Sequence, residues 1–220
     1  MKNFIKEISQ KLKDPINIIY SIFFLFFIIY LSTLKLRPYP FSYLVKIVPI
    51  LSLAIIAFKK IPGLRGKYVF VGLLFSAVGD VFLALDGKNY FIIGLAAFGI
   101  AHIMYILSFL RNPVYKKPRI FVIFVFLIYG VFIWSLLHAS LGKMLIPVTI
   151  YISLITFMGF SAVLGKANHY LIIIGAALFI ISDSTIAVNM YLLKVPNSSF
   201  WIMLTYYPAQ FLITYGSTRK

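Results

Sequence analysis

Eight apolar stretches, each near the length of a bilayer-crossing helix and each joined to the next by a short turn, leave this chain few ways to fold. They run from Ile16 to Leu34, Phe41 to Phe58, Tyr68 to Leu85, Tyr90 to Leu110, Ile120 to His138, Leu145 to Leu164, Tyr170 to Met190 and Ser199 to Gly216. A bilayer core of about 30 Å needs roughly 20 residues at about 1.5 Å of rise per residue, and each stretch is close to that length. With 62% hydrophobic and 12% charged residues, a water-soluble globule of 220 residues would lack the polar surface to cover itself. Joints of about four to thirteen residues allow only antiparallel neighbours. Pro, Gly and Lys mark them, as in Ile61-Pro62-Gly63 and Asn112-Pro113. The expected fold is all-α: a polytopic membrane bundle of eight transmembrane helices, forming one integral membrane domain over residues 1–220.

The net charge of +16 reads as an orientation signal rather than a nucleic-acid surface, because the bases sit in the joints instead of in one domain. Lys2, Lys6, Lys11, Lys13, Lys59, Lys60, Arg65, Lys67, Arg111, Lys116, Lys117, Arg119, Lys166, Arg219 and Lys220 make fifteen on one side. Lys35, Arg37, Lys88, Lys143 and Lys194 make five on the other, and Lys46 falls inside a span. Positive residues favour the cytoplasm, so an even number of spans predicts that both termini are cytoplasmic. The segment from Met1 to Asp14 is a short basic amphipathic stretch with no small-residue cleavage site, and the run after it reads as a retained first helix. Cysteine is absent, which removes disulfides, thiolate nucleophiles and Cys metal sites.

Asp80 and Asp183 are two of only five acidic residues, and each lies inside an apolar segment. A carboxylate at the centre of a membrane helix costs roughly 2.5–3.5 kcal/mol on insertion scales, so it usually faces a protein interior or a wet cavity. Counted from the cytoplasmic helix starts, Asp80 lies at a depth of roughly 18 Å and Asp183 at roughly 20 Å. The last helix enters from the other side and brings Tyr206, Tyr207 and Gln210 to a similar or slightly deeper level. His102 falls near the midplane, on one face with Tyr105. One layer therefore collects Lys46, Asp80, Asp183, Tyr206 and Tyr207, with His102 beneath it.

Gly72, Ser76 and Asp80 share one helix stripe, which allows a neighbouring helix to approach closely. GLLFSAVGD from Gly72 and GAALFIISD from Gly175 repeat the spacing of Gly and Asp, consistent with a four-plus-four parallel repeat.

Each candidate also has a plain structural reading. The aspartates can bond to Ser, Thr or Tyr on neighbouring helices, and His102 can bridge two helices. Lys46 can snorkel to the outer interface. Tyr206 and Tyr207 can be packing aromatics in a chain with 15 Tyr and 22 Phe. Asp86, His138 and His169 fall at span ends, where solvation accounts for them. The three His lie on different levels, so no metal site is expected, and no Gly-rich phosphate loop, GxSxG elbow or HExxH motif occurs.

GDVFLAL around Asp80, FGIAHIMYILSF around His102, GAALFIISDS around Asp183 and TYYPAQFLI around Tyr206 follow one another in the order and spacing of a known set of signatures. Together they resemble the YhhN-like lysoplasmalogenase family, and the likeness runs from the second helix to the eighth. KIVP, from Lys46 to Pro49, resembles that family's lysine-proline segment, although an adjacent pair is commoner there. The resemblance implies hydrolysis of the vinyl ether bond of lysoplasmalogens to a fatty aldehyde and a glycerophospho-headgroup, with no redox cofactor. Its partners are then a lysophospholipid substrate and bilayer lipids, in the cell membrane of a bacterium or an endomembrane of a eukaryote.

That chemistry begins with protonation of the alkene carbon. Water then traps the oxocarbenium ion. Two carboxyls in a low-dielectric site cannot easily both ionise, so Asp80 and Asp183 are expected to divide the acid and base roles, in an order left open. Tyr206, Tyr207 or His102 would orient water or the glycerol hydroxyl, and Lys46 could neutralise the phosphate from the outer side. Intramembrane acids in a repeat equally suit a proton-coupled transporter, and a non-catalytic lipid-binding protein is a third possibility.

Overall fold

The computed structural model describes residues 14–37, 39–85, 90–111, 117–165 and 168–219. The N-terminal basic stretch up to Lys13, Asp86, Lys88, Asn112-Pro113, Lys116, Lys166 and Lys220 lie outside them. Eight long helices follow one another among the described residues: α1 (Pro15–Thr33), α2 (Ser42–Lys60), α3 (Gly63–Leu85), α4 (Phe91–Phe109), α5 (Lys117–Leu137), α6 (Leu145–Leu164), α7 (Tyr170–Tyr191) and α8 (Ser198–Thr218). They correspond one to one with the eight stretches of the sequence. The first seven are long and apolar enough to cross a membrane, which makes the chain a multi-pass membrane protein. Helix α8 is as long, but its Thr, Tyr, Pro and Gln residues dilute its apolar content, and Tyr206, Tyr207, Gln210, Thr214 and Ser217 are buried in the bundle.

Helix α3 begins at Gly63, five residues before the expected Tyr68, so Arg65 and Lys67 lie in its first turns and only Ile61 and Pro62 join it to α2. Helical hydrogen bonding continues through polar residues where an apolar run stops, so a hydropathy boundary marks the bilayer edge rather than the helix end. At α1 the boundary is chemical: Pro15 occupies the first turn, and the Asp14 carboxylate accepts the Ile16 N–H at 2.9 Å. Such a cap satisfies one orphan donor of the helix start.

Helices α3 and α4 form the most extensive helix pair, closely followed by α7 and α8. Both pairs use glycine to bring the helices together. A Cβ at Gly72 would stand 2.6 Å from the Tyr105 ring, and one at Gly175 would stand 2.9 Å from the Ala209 carbonyl oxygen. The two GxxxxxxxD segments therefore pack alike, each glycine against the helix that follows. Helices α2 and α4 are the most enclosed spans, whereas α1 and α5 turn most of their surface outward. Lys46 and His102 thus sit on the most enclosed helices, and Asp80 on α3, which packs against both. Pro49 in α2 and Pro208 in α8 each remove one backbone donor close to the polar layer.

Candidate active site

Asp80, on the closely packed face of α3, is 1% exposed and holds two partners at once. The Lys46 ammonium lies 2.9 Å from its Oδ1, and the Tyr206 hydroxyl donates to its Oδ2 at 2.7 Å. Lys46 Nζ also donates to the Asp80 backbone carbonyl at 3.3 Å. Lys46 itself is 6% exposed, so it does not snorkel: it is the counter-ion of Asp80. Three helices, α2, α3 and α8, converge on this one carboxylate. The Tyr207 hydroxyl donates to the Lys46 carbonyl at 2.8 Å, in the turn that Pro49 interrupts, and so fixes the backbone that carries the ammonium.

Asp183 on α7 has a different environment. Its Oδ2 accepts a hydrogen bond from Tyr151 on α6. His102 Nε2 lies 2.9 Å from the Tyr151 hydroxyl and 3.6 Å from the same carboxylate oxygen. Because that hydroxyl spends its proton on Asp183, it accepts from His102 Nε2–H. The His102 ring is further held by an edge contact with Phe179 at 4.8 Å between centroids. One aspartate thus faces a lysine and a tyrosine, the other a tyrosine and a histidine.

Both carboxylates line the same cavity, of about 140 Å³, together with Lys46, Tyr206, Tyr30, Arg37, Ser182 and Ser199. A second, apolar cavity of about 50 Å³ lies among α3, α4, α5, α6 and α7. Leu83, Phe98, Asp183 and Ile186 belong to the linings of both cavities. Asp183 therefore stands where a polar chamber meets an apolar slot, a boundary suited to a molecule with a polar head and one hydrocarbon chain.

The layer read from the sequence is assembled, but its members are not equivalent. Tyr206 lines the polar cavity, whereas Tyr207, His102, Tyr105 and Gln210 do not. Tyr105 donates to Gln210 Oε1 at 2.7 Å, a buried bond between α4 and α8 behind the cavity. Tyr151 was missed by the sequence reading. It lies six residues into α6 and Asp183 eight residues from the end of α7, so at about 1.5 Å per residue they lie level in antiparallel neighbours. That depth arithmetic was available, but one tyrosine among 15 carries no signal of its own. Among the described residues no group of three or more His, Asp or Glu side chains forms a metal site.

The profile of the YhhN family matches residues 41–217, from the start of α2 to the end of α8. Among curated relatives, human lysoplasmalogenase TMEM86A is 35% identical over 161 residues, covering 69% of this chain and 65% of its own. Rat lysoplasmalogenase TMEM86B is 33% identical over 188 residues, covering 84% and 76%. The lysoplasmalogenase of Mycobacterium bovis is 29% identical over 160 residues, covering 70% and 61%. This chain therefore spans about 65% of the length of the TMEM86A relatives it matches. No solved structure matches significantly.

Proposed function

The chain belongs to the YhhN family, and we propose that it is a membrane hydrolase that cleaves the vinyl ether bond of a lysoplasmalogen. The observation that carries this reading is the pair of carboxylates with dissimilar partners lining one cavity that shares Asp183, Leu83, Phe98 and Ile186 with an adjoining apolar slot. The alkenyl chain occupies the slot, and the glycerol and headgroup occupy the polar chamber.

The dissimilar partners suggest how the roles divide. Asp183, facing a phenol and an imidazole, is the acid: it gives a proton to the alkene carbon remote from oxygen. The adjacent carbon and the ether oxygen then share the positive charge of an oxocarbenium ion. Asp80, facing the Lys46 ammonium and the Tyr206 hydroxyl, is the anion that stabilises this ion. It then takes a proton from water as the water oxygen bonds to the cationic carbon. The hemiacetal collapses when its hydroxyl proton leaves, the carbonyl forms and the bond to the glycerol oxygen breaks. That oxygen takes the proton that Asp80 gained from water, leaving a fatty aldehyde and a glycerophospho-headgroup. One water is consumed, and no electron donor or acceptor is needed. Tyr151 and His102 hold Asp183 in place and return to it the proton that leaves the hemiacetal hydroxyl.

The fifteen-to-five distribution of basic residues supports a topology with both termini in the cytoplasm of the host cell. The cavity end formed by Arg37 and Ser199 then faces the opposite side of the membrane. Accessibility tags on the two ends of the chain in intact cells check this, and tags reporting opposite sides overturn it. The catalytic reading is tested by incubating the detergent-purified protein with a lysoplasmalogen and measuring aldehyde in the absence of any ion gradient. A carrier or a passive lipid-binding protein releases none.

A further inference from the structure

The phosphate of a lysolipid needs a cation, and the structure leaves one available at the cavity. Among the described residues, four charged side chains line the polar chamber: Arg37, Lys46, Asp80 and Asp183. Lys46 is already committed to Asp80 through its 2.9 Å ion pair. Arg37 has no carboxylate within ion-pair distance among the described residues. Its one side-chain hydrogen bond among the described residues is from Nη1 to the Tyr30 hydroxyl, at 2.9 Å, and its guanidinium stands 5.8 Å from the centroid of the same ring. Tyr30 is 1% exposed and packs edge-on against Tyr207 at 6.1 Å, so the anchor of Arg37 is part of the core. Arginine presents five N–H donors in a planar fork that matches phosphate oxygens, and one of them is occupied here.

We propose that Arg37 is the phosphate-binding residue of the site and makes it selective for a phosphate-bearing single-chain lipid over a headgroup-free alkenyl or alkyl glycerol. The inference rests on the lysolipid reading above. Arg37 lies in the turn between α1 and α2, just past a short 3-10 segment from Leu34 to Leu36. From there the guanidinium folds back onto α1 beside the chamber. Lys46 and Asp80 balance one another across their 2.9 Å contact, which leaves Arg37 as the cation of the chamber with no carboxylate at ion-pair distance among the described residues. A phosphodiester supplies the anionic partner that the Arg37 guanidinium lacks. The alternative assignment, Lys46 to the phosphate, would require breaking a buried ion pair each time a substrate enters.

Binding tests this without relying on cleavage. A saturated 1-O-alkyl lysophosphoethanolamine has no vinyl ether and is not cleaved, and the matching 1-O-alkyl glycerol lacks only the headgroup. In the detergent-purified protein, Arg37→Gln is expected to weaken the phospholipid by about 10- to 100-fold, the range of a charge-assisted bidentate contact, and to leave the alkyl glycerol within about twofold. Arg37→Lys keeps the charge but not the fork and falls between. Equal losses for both ligands, no loss for either, or wild-type protein that binds neither ligand overturns the assignment. Aldehyde release from the vinyl ether lipid separates the two readings. Arg37-dependent binding without aldehyde removes the reaction and leaves the phosphate site, whereas aldehyde release with unchanged selectivity in Arg37→Gln removes the phosphate site alone.

Discussion

Asp80→Asn and Asp183→Asn are the same chemical change at the two candidate catalytic carboxyls, and the structure makes them very different for stability. At Asp80 the amide leaves the Lys46 ammonium, 6% exposed, without its counter-ion at 2.9 Å. Removing one partner of a buried ion pair costs about 3–5 kcal/mol. For a chain of this size each kcal/mol shifts Tm by about 2–4 °C, so Asp80→Asn is expected to melt about 6–20 °C below wild type. At Asp183 the amide oxygen still accepts from Tyr151, and no lysine or arginine is stranded, so the cost stays below about 1.5 kcal/mol. The assay is thermal unfolding in one detergent, with aldehyde release measured on the same preparations. Both variants lose at least ~100-fold in turnover, the lower end of what acid or base catalysis contributes. The double variant Lys46→Met with Asp80→Asn removes both charges and is expected to be coupled by about 2–3 kcal/mol, recovering much of the lost stability and none of the activity. Two single losses that add within about 0.5 kcal/mol, or equal destabilisation at Asp80 and Asp183, would refute the ion-pair argument.

The adjacent tyrosines of α8 are expected to separate. Tyr206→Phe loses the donor to Asp80 inside the cavity and should lower kcat by about tenfold, whereas Tyr207→Phe loses only the bond to the Lys46 carbonyl and should cost about 1 kcal/mol of stability with activity retained. Tyr151→Phe removes the hydrogen bond to Asp183 without changing its bulk, and steady-state kinetics should show a fall of about tenfold in kcat with KM unchanged. Gly175→Ala drives a methyl to 2.9 Å from the Ala209 carbonyl oxygen and should destabilise by about 1–3 kcal/mol in a melting assay. Gly99→Ala meets only Leu154 at 3.6 Å and should stay within about 0.5 kcal/mol, as the control for that comparison.

Hydropathy and helix rise are properties of the chain taken one residue after another, and they determined the number of helices and the depth of each polar side chain. Asp80, Asp183, Tyr206 and Lys46 could be grouped in one layer because in antiparallel neighbours depth follows from counting. The close approach at Gly72 was legible as well, because Gly72, Ser76 and Asp80 fall on one stripe of an apolar helix, whereas Gly175 was legible only as a repeat of the spacing between Gly and Asp. What counting does not supply is rotation about the helix axis and the choice of neighbour. Tyr206 and Tyr207 differ by about 100° on α8, a helix buried on several faces, and only packing decides that the first reaches Asp80 and the second the Lys46 backbone. The same holds for Tyr151, whose place beside Asp183 depends on α6 packing against α7. It holds again for Lys46, which an isolated helix would leave to extend toward water. The cost of leaving an ammonium and a carboxylate apart in a low-dielectric interior turns it inward to Asp80, and that pairing exists only once α2 and α3 are packed together.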